Sequence, residues 1–141
     1  MAEDRASAAP AVRTSRQQAG DAAESLVAGL LGGRGWSVLA RNVRVGRSEL
    51  DIVAVDPGPP SRLVVVEVRW RRSRSFGGAE ASFDSRKRAQ MRVGMARLLE
   101  RGTLPDGSLL PRLPAAVDLA IVEPGPEGRA RVLLYRNALG E

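Results

Sequence analysis

Two hydrophobic rhythms alternate along this chain. From about Ser15 to Gly33 the spacing predicts a helix, with Ala22, Leu26, Gly29, Leu30 and Gly33 toward one face and a glycine-rich tail that stops it. Trp36 to Val45 then reads as a strand ending at Gly46. Two β-branched runs follow, Glu49 to Val55 and Leu63 to Trp70, joined by the loop Asp56 to Arg62, whose prolines and glycine suit neither a helix nor a strand interior. Arg71 to Ser82 reads as a basic loop. A second helix is predicted from a cap at Asp84 or Ser82 to about Arg101, with Ala89, Met91 or Arg92, Met95, Ala96, Leu98 and Leu99 on its apolar stripe and Gly102 ending it. After a Pro/Gly loop from Thr103 to Pro114, Ala116 to Val122 and Ala130 to Tyr135 read as a final pair of strands joined through Glu123 to Gly128. The order α-β-β-β-α-β-β predicts an α/β fold with a central mixed sheet flanked by helices. Residues 1–14, rich in alanine and charge, are expected to be a disordered tail before a single domain over 15–141.

The paired runs carry the chemistry. If their loop closes symmetrically about Pro59, Asp51 lies opposite Glu67 and Glu49 opposite Arg69, with facing Cβ atoms roughly 4.5–5.5 Å apart. Two carboxylates that close repel one another unless a cation sits between them, and hard oxygen donors suit Mg²⁺ or Mn²⁺. The same residues also read as a solvent-facing hairpin in which Glu49 and Arg69 form a cross-strand ion pair. The continuous apolar run Leu63 to Val66 weighs against that reading, because it predicts a strand buried on both faces, where a carboxylate is costly unless it is paired or bound.

Composition narrows the chemistry further. With no histidine and no cysteine among 141 residues, a metal must be held by oxygen, and there is no disulfide framework. No apolar run is long enough to span a bilayer and the N-terminus lacks a secretory h-region, so a cytoplasmic protein without a membrane partner is expected. The net charge of +6 is uneven: Arg69 to Arg101 holds ten basic and three acidic residues, so this segment carries +7 and the rest of the chain −1. Arg71, Arg72, Arg74, Arg86, Lys87 and Arg88 are therefore the expected contacts to a phosphate backbone, though a solubilising arginine-rich surface has the same composition. Aromatic residues are scarce, so contact is expected with backbone and duplex shape more than by base stacking.

Several motifs occur in a recognisable order: Gly20-Asp-Ala-Ala-Glu24, Gly35-Trp-Ser-Val-Leu-Ala-Arg-Asn42, Glu49-Leu-Asp51, Val66-Glu-Val-Arg69, Phe76-Gly77 and Asp84-Ser-Arg-Lys87. Over roughly Gly20 to Val122 this resembles the YraN-like family, small bacterial proteins classed as endonuclease-like within the PD-(D/E)xK superfamily and distantly related to archaeal Holliday-junction resolvases. The resemblance implies a restriction-endonuclease-like core, nucleic acid (structured or duplex DNA) as partner, a homodimer, and a Mg²⁺ or Mn²⁺ site of Asp51, Glu67 and, from the first helix, Glu24. A helical glutamate is otherwise an ordinary solvated residue.

This sequence departs from the family pattern at two places. Ser48 replaces the usual glycine, and Arg69 stands where the superfamily has lysine. Arginine stabilises charge but, with a pKa above about 12, is a poor proton acceptor. The chain has 21 arginines and one lysine, so a general drift from lysine to arginine also accounts for that change. The lone Lys87 falls in the first turn of the second helix, where a cation opposes the helix dipole; it is either a surface lysine or a replacement for the missing ammonium. Asp118, buried by pattern, is expected to be structural. The catalytic set is thus Asp51, Glu67, Arg69 and Lys87, with three readings open: a metal-dependent endonuclease, a catalytically weak nucleic-acid-binding module, or an assembly factor on the same scaffold.

Overall fold

The computed structural model describes residues 15–72 and 83–140. The tail expected over 1–14 and most of the basic loop expected over 71–82, Arg74 included, lie outside the described residues. The elements are α1 (Ser15–Gly33), β1 (Ser37–Val45), β2 (Ser48–Asp56), β3 (Arg62–Trp70), α2 (Ser85–Arg101), β4 (Ala115–Pro124) and β5 (Ala130–Tyr135). They form one five-stranded sheet in the order β1-β2-β3-β4-β5. Only β3 and β4 run parallel, and α2 lies in the crossover that such a pair requires. The sheet is therefore mixed, in the α/β arrangement that the order of apolar runs predicts.

Local chemistry sets the element ends. Gly35 takes a φ of +88°, which lets the Trp36 amide turn back to donate to the Leu31 carbonyl at 3.0 Å and close α1. At α2 the Asp84 carboxylate accepts from the Lys87 amide at 3.0 Å, and left-handed Gly102 donates to the Leu98 carbonyl at 2.9 Å. Asp84 is thus the cap, and Ser82 lies outside the described residues.

The sheet divides the core in two. Ala23, Val27 and Leu31 of α1 pack with Trp36, Ile52, Ala54, Val64, Val66, Ala120 and Val122 on one face. Met91, Met95 and Leu98 of α2 pack with Leu50, Val53, Leu63, Val65, Leu119 and Ile121 on the other. Leu63 to Val66 are all fully buried, one side chain to each face in turn, as the continuous apolar run predicts. Burying each such aliphatic side chain contributes roughly 1.5–3 kcal/mol.

The face of α1 corrects the expected stripe. The buried line is Ala23-Val27-Leu31, while Leu26 is 41% exposed. This helix is so rich in alanine and glycine that neighbouring stripes differ little in hydrophobicity, and packing against β3 decides between them.

Two acidic residues of β4 anchor the far side. Asp118, fully buried, accepts from the Arg136 Nε at 2.6 Å and the Asn137 amide at 2.8 Å, the structural role its pattern predicts. Glu123 is also fully buried, between the guanidinium groups of Arg71 and Arg131, whose Nε atoms donate to it at 3.0 and 2.9 Å.

Candidate active site

The β2–β3 hairpin has the register expected from its loop: Val53 pairs with Val65 and Ile52 with Val66. One residue further along, the ladder stops. The next pair is Asp51 and Glu67, and here the Val68 amide donates to the Asp51 Oδ2 at 2.8 Å instead of to the facing strand. Side-chain alternation also slips at this point. Leu50 and Val53 both face α2, whereas Ile52 faces α1, so the regular period of two is broken around Asp51. In β1, Asn42 adopts a φ of +53° at the position beside the slip, between the pairs Arg41–Ile52 and Val43–Leu50. The acid thus sits at a fork between strands, with its carboxyl bonded to the backbone.

Asp51 and Glu67 converge there, close enough for each carboxyl to feel the other's charge. Glu67 is 5% exposed. Burial, then the neighbouring Glu67 charge, pushes the Asp51 carboxyl up to about 7, against the lowering effect of the Val68 amide. Lys87 Nζ lies 3.4 Å and Arg69 Nε 3.2 Å from the same Glu67 oxygen, Oε2. Among the described residues the other oxygen, Oε1, is buried without a hydrogen-bond partner. Two cations from different elements hold one side of Glu67, and the other side is unsatisfied.

The structure corrects two expectations around this pair. Arg69 pairs with Glu67 on its own strand, and Glu49 pairs in the ladder with Arg44 of β1, so no Glu49–Arg69 cross-strand pair forms. The reason is the fork, which ends the β2–β3 ladder before those positions. Glu24 projects from the flank of α1 toward Arg41, 3.6 Å away, and among the described residues no three acidic side chains gather into one cation-binding group. Because α1 seats Ala23 and Val27 against the sheet, Glu24 stands beside the pair and outside it. It still feels the pair: burial first, then the Asp51 charge, raises its carboxyl. Its Oε1 is likewise buried without a hydrogen bond among the described residues.

The pair opens onto a cleft of about 670 Å³ between the β1–β2 turn and α2, lined by Arg47, Glu49, Arg86, Lys87, Gln90 and Arg97 among others. Of the expected nucleic-acid contacts, Arg86 and Lys87 line it. Arg72 is exposed elsewhere. Arg88 is half-buried and donates to the Phe83 carbonyl at 3.2 Å. Arg71 is a correction: its side chain is 11% exposed and held by Glu123, which removes it from the surface. Arg47 and Arg97 are additions. Arg47 lies outside the charged segment of the sequence and reaches the cleft only because the β1–β2 turn folds against α2.

The raised Asp51 carboxyl has a consequence for the metal-free protein. Between about pH 4 and 7 the folded chain holds a proton that the unfolded chain has released, so stability falls as pH rises through that window. Asp51→Asn removes the effect. In chelator, the variant is expected to gain at least about 1 kcal/mol over wild type at pH 8 and much less at pH 4.5. Urea unfolding at the two pH values measures this; parallel curves would count against a buried, strained pair.

A family model described as "Uncharacterised protein family UPF0102" matches residues 23–122. The UPF0102 protein of Symbiobacterium thermophilum is 37% identical over 123 residues, covering 86% of this chain and 96% of the relative. That of Sorangium cellulosum is 38% identical over 123 residues, covering 87% and 81%. That of Dehalococcoides mccartyi is 30% identical over 126 residues, covering 89% and 96%. The matched span contains both carboxylates, both cations that hold Glu67, and the whole of α2.

Proposed function

We propose that this chain, which belongs to the UPF0102 family, is a metal-dependent endonuclease acting on structured DNA. The observation that carries the reading is the forked strand pair, with two converging carboxylates at the head of a cationic cleft. The donor set suits Mg²⁺ or Mn²⁺: both groups are carboxylates, Glu67 Oε1 has no hydrogen-bond partner among the described residues, and repulsion within the pair would be relieved by a cation. Asp51 and Glu67 would hold the ion, with Glu24 near enough to adjust its field. No described helix is long and apolar enough to cross a membrane.

When bound, such an ion polarises a phosphoryl oxygen and makes water a better nucleophile. The protein's own groups do the rest. The Val68 amide fixes the Asp51 carboxylate, so one donor is aimed before substrate arrives. Arg69 and Lys87 set positive charge against Oε2 and leave Oε1 for the ion. Both cations lie beside the pair, so a phosphate bound there would meet fixed charges that stabilise the transition state. Lysine can pass a proton to and from water and arginine cannot, so Lys87 takes the proton-handling role that Arg69 lacks.

A panel of labelled duplex, flap, four-way-junction and single-stranded substrates with Mg²⁺ or Mn²⁺ tests the proposal. Metal-dependent cleavage of a structured DNA, lost in Asp51→Asn and Glu67→Gln, is the expected result. Absence of cleavage of every substrate, or variants as active as wild type, would leave the binding-module reading in its place. Arg69, standing at the strand position of the usual lysine, favours that second reading.

A further inference from the structure

The cleft holds more cationic charge than the carboxylate pair requires. Arg86, Gln90, Val93 and Arg97 recur at intervals of four, three and four, so they share one face of α2, and all four line the cleft. Lys87, beside Arg86, touches Glu67, so the carboxylate pair lies at the N-terminal end of this file. Arg97 marks the opposite end, eleven residues and roughly 16 Å further along the helix.

At that far end the β1–β2 turn meets the helix. Gly46, with a φ of +61°, makes the turn, and a side chain built on it would begin 2.3 Å from the Arg97 Nη1. The Arg97 guanidinium thus lies across bare backbone, and Arg47, the next residue of the turn, lines the same cleft. Among the described residues Arg47, Arg86 and Arg97 have no carboxylate within ion-pair distance, in contrast to Arg69, Arg71, Arg131 and Arg136. Three exposed guanidinium groups are available to a ligand.

Their layout selects one kind of ligand. A duplex presents two backbones across a major groove about 12 Å wide, which calls for two separated files of cations. Here the charges form one file, with Arg47 joining it at the Arg97 end. One strand rises about 3.4 Å per phosphate in a B-form helix, and more when extended, so the file covers about three to five phosphates.

We infer that Arg97 and Arg47 form a phosphate-binding subsite that holds a single nucleic-acid backbone a few nucleotides away from the phosphate at Asp51 and Glu67. Arg86 is the intermediate contact near the carboxylates, and Glu49, which lines the cleft from β2, repels backbone that strays from the file. The assignment of the scissile phosphate rests on the proposed endonuclease reading; the subsite itself does not. The chemistry recognised is a phosphodiester strand, with DNA and RNA as its two sources.

The test is fluorescence anisotropy of labelled twelve-nucleotide DNA and RNA strands, and of the matching duplexes, titrated with salt in Ca²⁺ to prevent turnover. Wild type is expected to bind the single strands. Arg47→Ala with Arg97→Ala should weaken binding at least about tenfold at low salt and reduce the salt slope by about 1.4, or about 0.7 for each phosphate no longer neutralised. Arg47→Lys with Arg97→Lys, which keeps both charges, should restore most of the slope. Arg112→Ala with Arg129→Ala removes the same net charge from exposed positions that do not line the cleft and should leave binding unchanged. A double variant that binds like wild type, a control pair that weakens binding as much, or a wild type that binds no strand would each overturn the subsite. If the binding arms behave as expected and no substrate is cut with Mg²⁺ or Mn²⁺, the endonuclease reading fails and the subsite stands. Stronger binding of RNA than DNA would identify the source.

Discussion

Lys87→Ala is expected to lower the single-turnover rate of DNA cleavage by about 100-fold or more, the loss typical of removing a positioned proton-transfer group. The residue reaches Glu67 from the first turn of α2, and its ammonium lies 3.4 Å from the carboxylate oxygen that Arg69 also touches. Two cations on one oxygen are redundant for charge but not for proton transfer, which only the ammonium performs. Arg69→Lys keeps the charge and adds an ammonium on the strand, so the rate should hold or rise. The pair of variants separates roles: an unchanged rate in Lys87→Ala would make that residue an ordinary surface lysine. Substrate affinity, measured in Ca²⁺, should change far less than the rate.

Glu123→Ala is expected to destabilise the fold by about 3–5 kcal/mol, enough to leave a marginal protein largely unfolded. The loss does not come from a favourable ion pair as such. Taking the carboxylate away removes the buried group to which the Arg71 side chain, 11% exposed, donates beside the end of β4. Arg131 is 42% exposed and can turn to solvent, so Arg131→Ala should cost much less. The exposed Glu127→Ala, on the β4–β5 turn, should stay within about 0.5 kcal/mol of wild type. Urea denaturation ranks the three; equal losses would show that the buried charge is not what sets the order.

The hairpin register was legible because its loop is symmetric and side chains in a strand alternate strictly, so five observed pairs follow from Pro59 alone. The ends of α2 were legible from Asp84 and Gly102, each with one local job. What eluded the sequence arises where local rules meet tertiary packing. The face of α1 lies one residue from the expected stripe, because alanine and glycine mark no face and β3 chooses it. The slip of alternation at Asp51 has a faint signal in Asn42, a residue tolerant of positive φ, but nothing in strand periodicity announces it. Glu123 sits beside a Pro-Gly turn and reads as a turn residue; only the antiparallel return of β5 brings Arg131 to it.

The candidate site divides the same way. Asp51 and Glu67 lie on one hairpin and could be paired from sequence. Lys87 joins them only when α2 is laid across the sheet, and Arg47 joins Arg97 only when the β1–β2 turn meets that helix. A count of charge along the chain put the basic surface between Arg69 and Arg101. Folding withdraws Arg71 from it and adds Arg47.

The central claim is that Asp51 and Glu67 together hold one divalent cation. Isothermal titration calorimetry of Mn²⁺ into the chelator-treated protein at pH 7.5 tests it most directly, with Asp51→Asn and Glu67→Gln as comparisons. The expected result is one ion per chain in wild type and binding weakened at least about tenfold in each variant, with both variants folded. No binding in wild type, or equal binding in all three, would contradict the claim.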